Sequence, residues 1–185
     1  YKPTLDSLTP QQQILYNRNI PVEEQSNWLN AYWNNVNDFH LLKNIKEAAV
    51  MIANYCMLAS SKITILQDCD CDGLTSSAII ANYIHRICSK EPTILIHEGK
   101  AHGLADIDLD NIIETTNLLI IPDAASNDYE QLKYLHDNGV DIVIADHHHC
   151  EKYSEDAIVV NNQLDDYPNK NFCGAGVTWQ ICRQM

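Results

Sequence analysis

A chain of 185 residues with 45% hydrophobic and 20% charged residues has the composition of a soluble globular protein of ordinary domain size. Its 12 basic and 25 acidic residues give a net charge of -13, which argues against broad adhesion to a polyanion through a basic face. No run is long enough to span a membrane and no cleavable leader is visible; seven cysteines without a Cys-x-x-Cys pair read as reduced thiols, so the expected location is the cytoplasm.

Residues 1–60 carry helical patterns and are expected to form a prefix that packs on the domain that follows. Thr9-Pro10 is an N-cap followed by proline at the first helical position, leading into Gln11 to Tyr16. Pro21 to Glu24 start a second helix, on which Trp28, Leu29, Tyr32 and Trp33 are expected to form a packed face. A longer helix opens at Asp38-Phe39-His40 and runs through Leu42, Ile45, Ala49, Ile52 and Ala53.

From Lys62 the pattern becomes strand and helix in alternation. Strands are predicted at Ile63–Gln67, Thr93–His97, Leu118–Ile121, Ile142–Ala145 and Ala157–Val160, and helices at Leu74–Ser89, Leu109–Thr115 and Asp128–Asn138. Short apolar strands between amphipathic helices predict an α/β fold, a mainly parallel sheet flanked by helices, over residues 61–185. Ligands of such sheets collect at the carboxyl ends of the strands. Neither Gly-x-Gly-x-x-Gly nor a Walker pattern is present.

Three strand ends carry unusual residues. The first runs into Asp68-Cys69-Asp70-Cys71-Asp72-Gly73, the third into Asp123, and the fourth into Asp146-His147-His148-His149. Alternation along a strand turns the three carboxylates of the first end to one side, where a hard divalent cation would relieve their repulsion, and turns Cys69 and Cys71 to the other side to pack. An EF-hand is excluded because Ile79 and Ile80 stand where its late glutamate belongs. Asp123 could instead cap the next helix, and the histidines could be a solvated loop. In a parallel sheet, however, all three ends share one edge. After the fifth strand come Asn161-Asn162-Gln163 and Asp166-Tyr167-Pro168-Asn169-Lys170. Cys173-Gly174-Ala175-Gly176 then opens a helix whose amides could hold a phosphate.

In this order, Asp-x-Asp-x-Asp-Gly-x-Thr-Ser (68–76), Asp123, Asp146-His147-His148 and the Gly-x-Gly segment resemble the DHH phosphoesterase superfamily. Within it, they look most like RecJ-type single-strand-specific DNA exonucleases. Gly99-Lys100-Ala101-His102-Gly103-Leu104 stands at the family's Arg-x-x-x-Gly-Tyr-Gly-Leu-like segment, and the match runs from about Asn19 to the end. The resemblance implies a phosphodiesterase using two manganese or magnesium ions and releasing 5′-mononucleotides from single strands. Asp70, Asp72, Asp123 and His147 would be ligands, with Asp68 a ligand or close neighbour and Asp123 the bridge. Asp146 would orient an imidazole and His148 would meet the scissile phosphate. Ser76, Lys100, His102, Gly174 and Gly176 would position substrate.

The sequence departs from the family at Asp123-Ala124-Ala125, where the family has Asp-Asn-Gly or Asp-Cys-Gly, and at His102, where it has Tyr. A later aspartate motif and a second, DHHA1-like domain are expected beyond Met185. The chain thus reads as the amino-terminal catalytic part of a longer protein, with little or no activity expected of it alone. The implied partners are single-stranded nucleic acid, DNA ahead of RNA, the rest of the same protein, and replication or repair proteins. Two other readings stay open: a phosphodiesterase of short oligonucleotides, cyclic dinucleotides or pyrophosphate, and an inactive scaffold.

Overall fold

The computed structural model describes residues 8–30, 32, 36–97 and 102–185. The chain divides into two compact units, Tyr1–Asp38 and Phe39–Met185. The first holds α1 (Pro10–Asn17) and α2 (Val22–Leu29). At the start of α1, Thr9 Oγ1 accepts from the Gln12 amide at 3.3 Å while Gln12 Oε1 accepts from the Thr9 amide at 2.9 Å, a capping box. The packed aromatic face expected on the second helix is not found among the described residues. The helix stops at Leu29, Asn30 is extended, and Trp28, Leu29 and Tyr32 are exposed; Trp33 lies outside the described residues.

The second unit begins with a 3-10 turn at Phe39–Leu41 and α3 (Ile45–Met57), followed by β1 (Ile63–Gln67) and α4 (Cys71–Cys88). Then come β2 (Thr93–Ile96), α5 (Leu109–Thr115), β3 (Leu118–Pro122), α6 (Tyr129–Asp137), β4 (Asp141–Asp146), β5 (Ile158–Asn161) and α7 (Gly174–Gln184). Thus α3, which the sequence pattern grouped with the prefix, belongs to this unit. Its Tyr55 hydroxyl donates to Asp141 at 2.7 Å, fastening it to the start of β4.

All five strands are parallel in the order β2-β1-β3-β4-β5. Leu118 to Pro122 are all buried, as a central strand covered on both faces requires. On one face, Ile52 of α3, Ile80 and Ile84 of α4, and Val177 and Ile181 of α7 pack on Ile63, Ile65, Leu118, Ile120 and Val143. On the other, Ile112 of α5 and Leu132 and Leu135 of α6 pack on Leu119, Ile121, Ile142 and Ile144. The chain leaves β1 for β2 on one side and returns to β3 on the other. This reversal opens a crevice between the carboxyl ends of β1 and β3. Asp68 and Asp123 stand at those two ends.

Candidate metal centre

The exit from β1 is built differently from a simple strand alternation. Asp68 is 3% exposed; its Oδ1 accepts from the Cys69 amide at 2.8 Å and its Oδ2 from His102 Nδ1 at 2.6 Å. The chain then turns at once into α4, whose N-cap is Asp70, accepting from the Gly73 amide at 2.9 Å. Asp72 therefore sits in the first helical turn. Gly73 is required because a Cβ there would lie 2.6 Å from the Asp68 Cβ. One expectation is corrected by this turn. Cys69 and Cys71 are exposed rather than packed, because period-two alternation ends at Asp68. Ser76, expected to position substrate, is fully buried and donates to the Asp72 carbonyl at 2.7 Å.

The exit from β3 holds the most unusual carboxylate. Asp123 is 1% exposed and has a left-handed backbone, φ 74°, shared by Ala125 at 73°. Non-glycine residues in that region are uncommon and carry strain. Neither carboxylate oxygen has a hydrogen-bond partner; His147 Nε2 lies 3.1 Å from Oδ1 but off the hydrogen-bonding direction. Burial, reinforced by the neighbouring Asp72, Asp70 and Asp146 against the opposing charge of His148, pushes the carboxyl up to about 8. Asp123 does not cap the following helix, whose N-cap position is Asp128.

Asp146 ends β4 and is buried. Its Oδ1 accepts from the His147 amide at 2.7 Å, the His148 amide at 3.1 Å and His148 Nδ1 at 2.8 Å, and its Oδ2 from the Ser126 amide at 3.2 Å. Burial alone would raise its pKa, but the hydrogen bonds from His148 and Ser126 outweigh it and hold the carboxyl at about 2. The same hydrogen bond from His148 to Asp146 lifts His148 to about 9, against partial desolvation. His147 Nε2 stands between Asp123 Oδ1 and Asp72 Oδ2, at 3.1 and 3.5 Å.

The start of α7 joins the site in a way that the sequence did not show. The Gly174 and Ala175 amides donate to the two oxygens of Asp72 at 2.8 and 2.9 Å, so these amides hold a carboxylate instead of the phosphate expected there. Gly174 also lets the helix press on Asp123, since a Cβ would lie 2.2 Å from its Oδ1; Gly176 makes room for the Phe172 ring, with a Cβ only 2.7 Å from it. Gly174→Ala is expected to lower the melting temperature by several degrees and weaken manganese binding at least tenfold, by displacing Asp123. Thermal melts and a manganese titration check this.

Among the described residues, two groups could hold a metal ion, each with donor atoms within 4.8 Å of one another: Asp68, Asp70 and Asp123, and Asp123, His147 and His148. Asp123 belongs to both. Oxygen donors with imidazole suit manganese or magnesium, and an orphaned buried carboxylate is what a cation would satisfy. Lys100 lies outside the described residues. Sequence reasoning missed Ser126, Asp128 and Asn161. Asn161, at the end of β5, donates to Ser126 Oγ and the His148 carbonyl, both at 3.0 Å, tying the loops after β3 and β4 together.

Among proteins of known description, this chain is 40% identical over 178 residues to YorK of Bacillus subtilis, provisionally described as an SPbeta prophage-derived single-strand DNA-specific exonuclease. It is 25% identical over 141 residues to the single-stranded-DNA-specific exonuclease RecJ of Thermus thermophilus. These alignments take in 95% and 76% of this chain but only 30% and 21% of the relatives. The fold is shared with exonuclease RecJ bound to manganese, at TM-score 0.71 and 24% identity over 80% of this chain and 39% of that one. It is also shared with RecJ of Thermus thermophilus in complex with Mn2+, at TM-score 0.71 and 21% identity over 96% and 25%. Because the N-terminal domain of the DHH family matches residues 62–185, most of its length, the chain belongs to the DHH family.

Proposed function

We propose that this chain is the metal-binding part of a RecJ-like exonuclease that hydrolyses single-stranded DNA to 5′-mononucleotides with two manganese or magnesium ions. The observation that carries the reading is Asp123, a buried carboxylate with neither oxygen hydrogen-bonded and shared by two candidate ligand groups. Asp68 and Asp70 would complete one group and His147 the other, with Asp72 beside His147 and His148 left free to meet the substrate. The ions, when bound, would supply Lewis-acid stabilisation of the phosphoryl charge and an activated water. The chain's own residues do the rest. Asp146 keeps His148 protonated and aimed, ready to donate to a phosphoryl oxygen. His102, steered by Asp68, faces the same cleft, which is lined also by Ala124, Ala125 and Ser126.

The chain spans 30% of YorK and 21% of RecJ, and the activity is proposed for the intact protein with its expected downstream aspartate motif and closing domain. The test is digestion of a 5′-labelled single strand by the intact protein in manganese, with chelation as control. Labelled mononucleotide that disappears on chelation is the expected result; intact strands under all metals would defeat the reading. The net charge of -13 favours a second reading, hydrolysis of short oligonucleotides that need no basic track. Cleavage of dinucleotides with long strands left intact would establish it. DNA repair or recombination is the process in which such an activity would serve, with the cytoplasm as its place; no described helix is long and apolar enough to cross a membrane.

A further inference from the structure

Asp128 stands at the N-cap position of α6, yet its side chain caps none of that helix's amides. It reaches instead to a segment 24 residues earlier, where its Oδ2 accepts from the Leu104 amide at 2.7 Å. Gly103, at φ 83°, is shaped around the same carboxylate: a Cβ at Gly103 would lie 2.2 Å from Asp128 Oδ2. The Leu104 side chain, 1% exposed, is sunk in the core with Leu66, Ala124 and Ala125. Immediately before this anchored pair comes His102, whose Nδ1 donates to the buried Asp68. With that nitrogen committed, the ring lines a cleft of about 170 Å³ that it shares with His148, the two ring centroids being 6.3 Å apart.

Resting on the phosphodiesterase reading above, we propose that Asp128 is a positioning residue of the substrate cleft. It forgoes capping its own helix to fix the backbone at 103–104, and so sets His102, aimed by Asp68, against the substrate nucleotide opposite His148. Asp68 fixes the ring and Asp128 fixes the chain that carries it; neither alone defines where the imidazole stands. An ordinary N-cap would act on α6 alone and leave His102 indifferent to its loss.

The experiment is a double-mutant cycle in the intact protein. It combines Asp128→Ala and Asp128→Asn with His102→Ala, read by manganese-dependent hydrolysis of a labelled oligothymidylate and by fluorescence anisotropy of its phosphorothioate analogue. Loss of one polar contact predicts that Asp128→Ala raises KM and the anisotropy Kd about tenfold while kcat stays within about threefold. The side-chain amide introduced by Asp128→Asn keeps a carbonyl for the Leu104 amide, so this variant is expected to recover most of the affinity. In a His102→Ala background, Asp128→Ala should add nothing. Equal effects of Asp128→Ala with and without His102, or no recovery by Asp128→Asn, would overturn the assignment. Thermal melts of each variant separate these outcomes from misfolding. A wild type that binds the strand but cleaves no phosphodiester defeats the phosphodiesterase reading, and the anisotropy cycle still decides on Asp128. A wild type that binds no strand overturns both.

Discussion

Asp123→Asn is expected to abolish manganese-dependent hydrolysis, by at least about a thousandfold, while stabilising the metal-free protein at alkaline pH. The two effects have one cause. Asp123 is buried beside Asp72 and Asp70 with no hydrogen bond to either oxygen, and its pKa rises from 3.8 to about 8. Between those values the folded protein holds a proton that the unfolded chain has lost. Stability therefore falls as pH rises across that window and is lowest above 8. Asparagine never ionises, so the variant escapes the penalty, by on the order of 5 kcal/mol at pH 8.5 and by little below pH 4. A divalent ion reverses the order: it stabilises the wild type by mass action and leaves the variant unmoved. Thermal melts across pH, with chelator and with manganese, read both signs. A variant that manganese still stabilises as it does the wild type would remove Asp123 from the centre.

The parts of this fold that were legible in the sequence are those governed by local pattern. β1 and α5 fall on the residues that their apolar spacing marks, Ile63–Gln67 and Leu109–Thr115, because each is bounded by a clear change of texture. Strand ends were legible too, and with them Asp68, Asp123 and Asp146. At Cys69 and Cys71 strand alternation does not hold, since Asp70 caps a helix and converts strand geometry into helix geometry within two residues. The pairing of Asp72 with amides about a hundred residues away left no local trace, because the Gly174 turn has the same sequence whether it receives a phosphate or a carboxylate. Asn161 and Asp128 were invisible for a related reason: both look like ordinary loop or capping residues, and only tertiary structure shows that each is spent on another loop.

Asp146→Asn should have the second largest effect. The wild-type carboxylate is an acceptor for four N–H groups, three of them from the His147-His148 segment. An amide in its place turns one edge into a donor, which must face the Ser126 amide or the His148 cluster, leaving buried donors opposed. Leaving buried N–H donors opposed by an amide predicts a loss of about 2 kcal/mol in stability and of about a hundredfold or more in hydrolysis. The pH dependence has two limbs. The Asp146 pKa falls from 3.8 to about 2, so its contribution is present above 3.8 and lost as pH falls through about 2. The His148 pKa rises from 6.5 to about 9, so its contribution is present below 6.5 and lost as pH rises through about 9. The pair is therefore at full strength between about pH 4 and 6.5. Because the His148 side chain is half exposed, its alkaline limb is worth no more than about 1 kcal/mol. Histidine resonances followed by NMR in the metal-free protein test the pairing directly. His148 should titrate near 9 in the wild type and return toward 6.5 in Asp146→Asn. A wild-type His148 that titrates at or below 6.5 would break the link between Asp146 and a charged imidazole, and with it the donor proposed for the scissile phosphate.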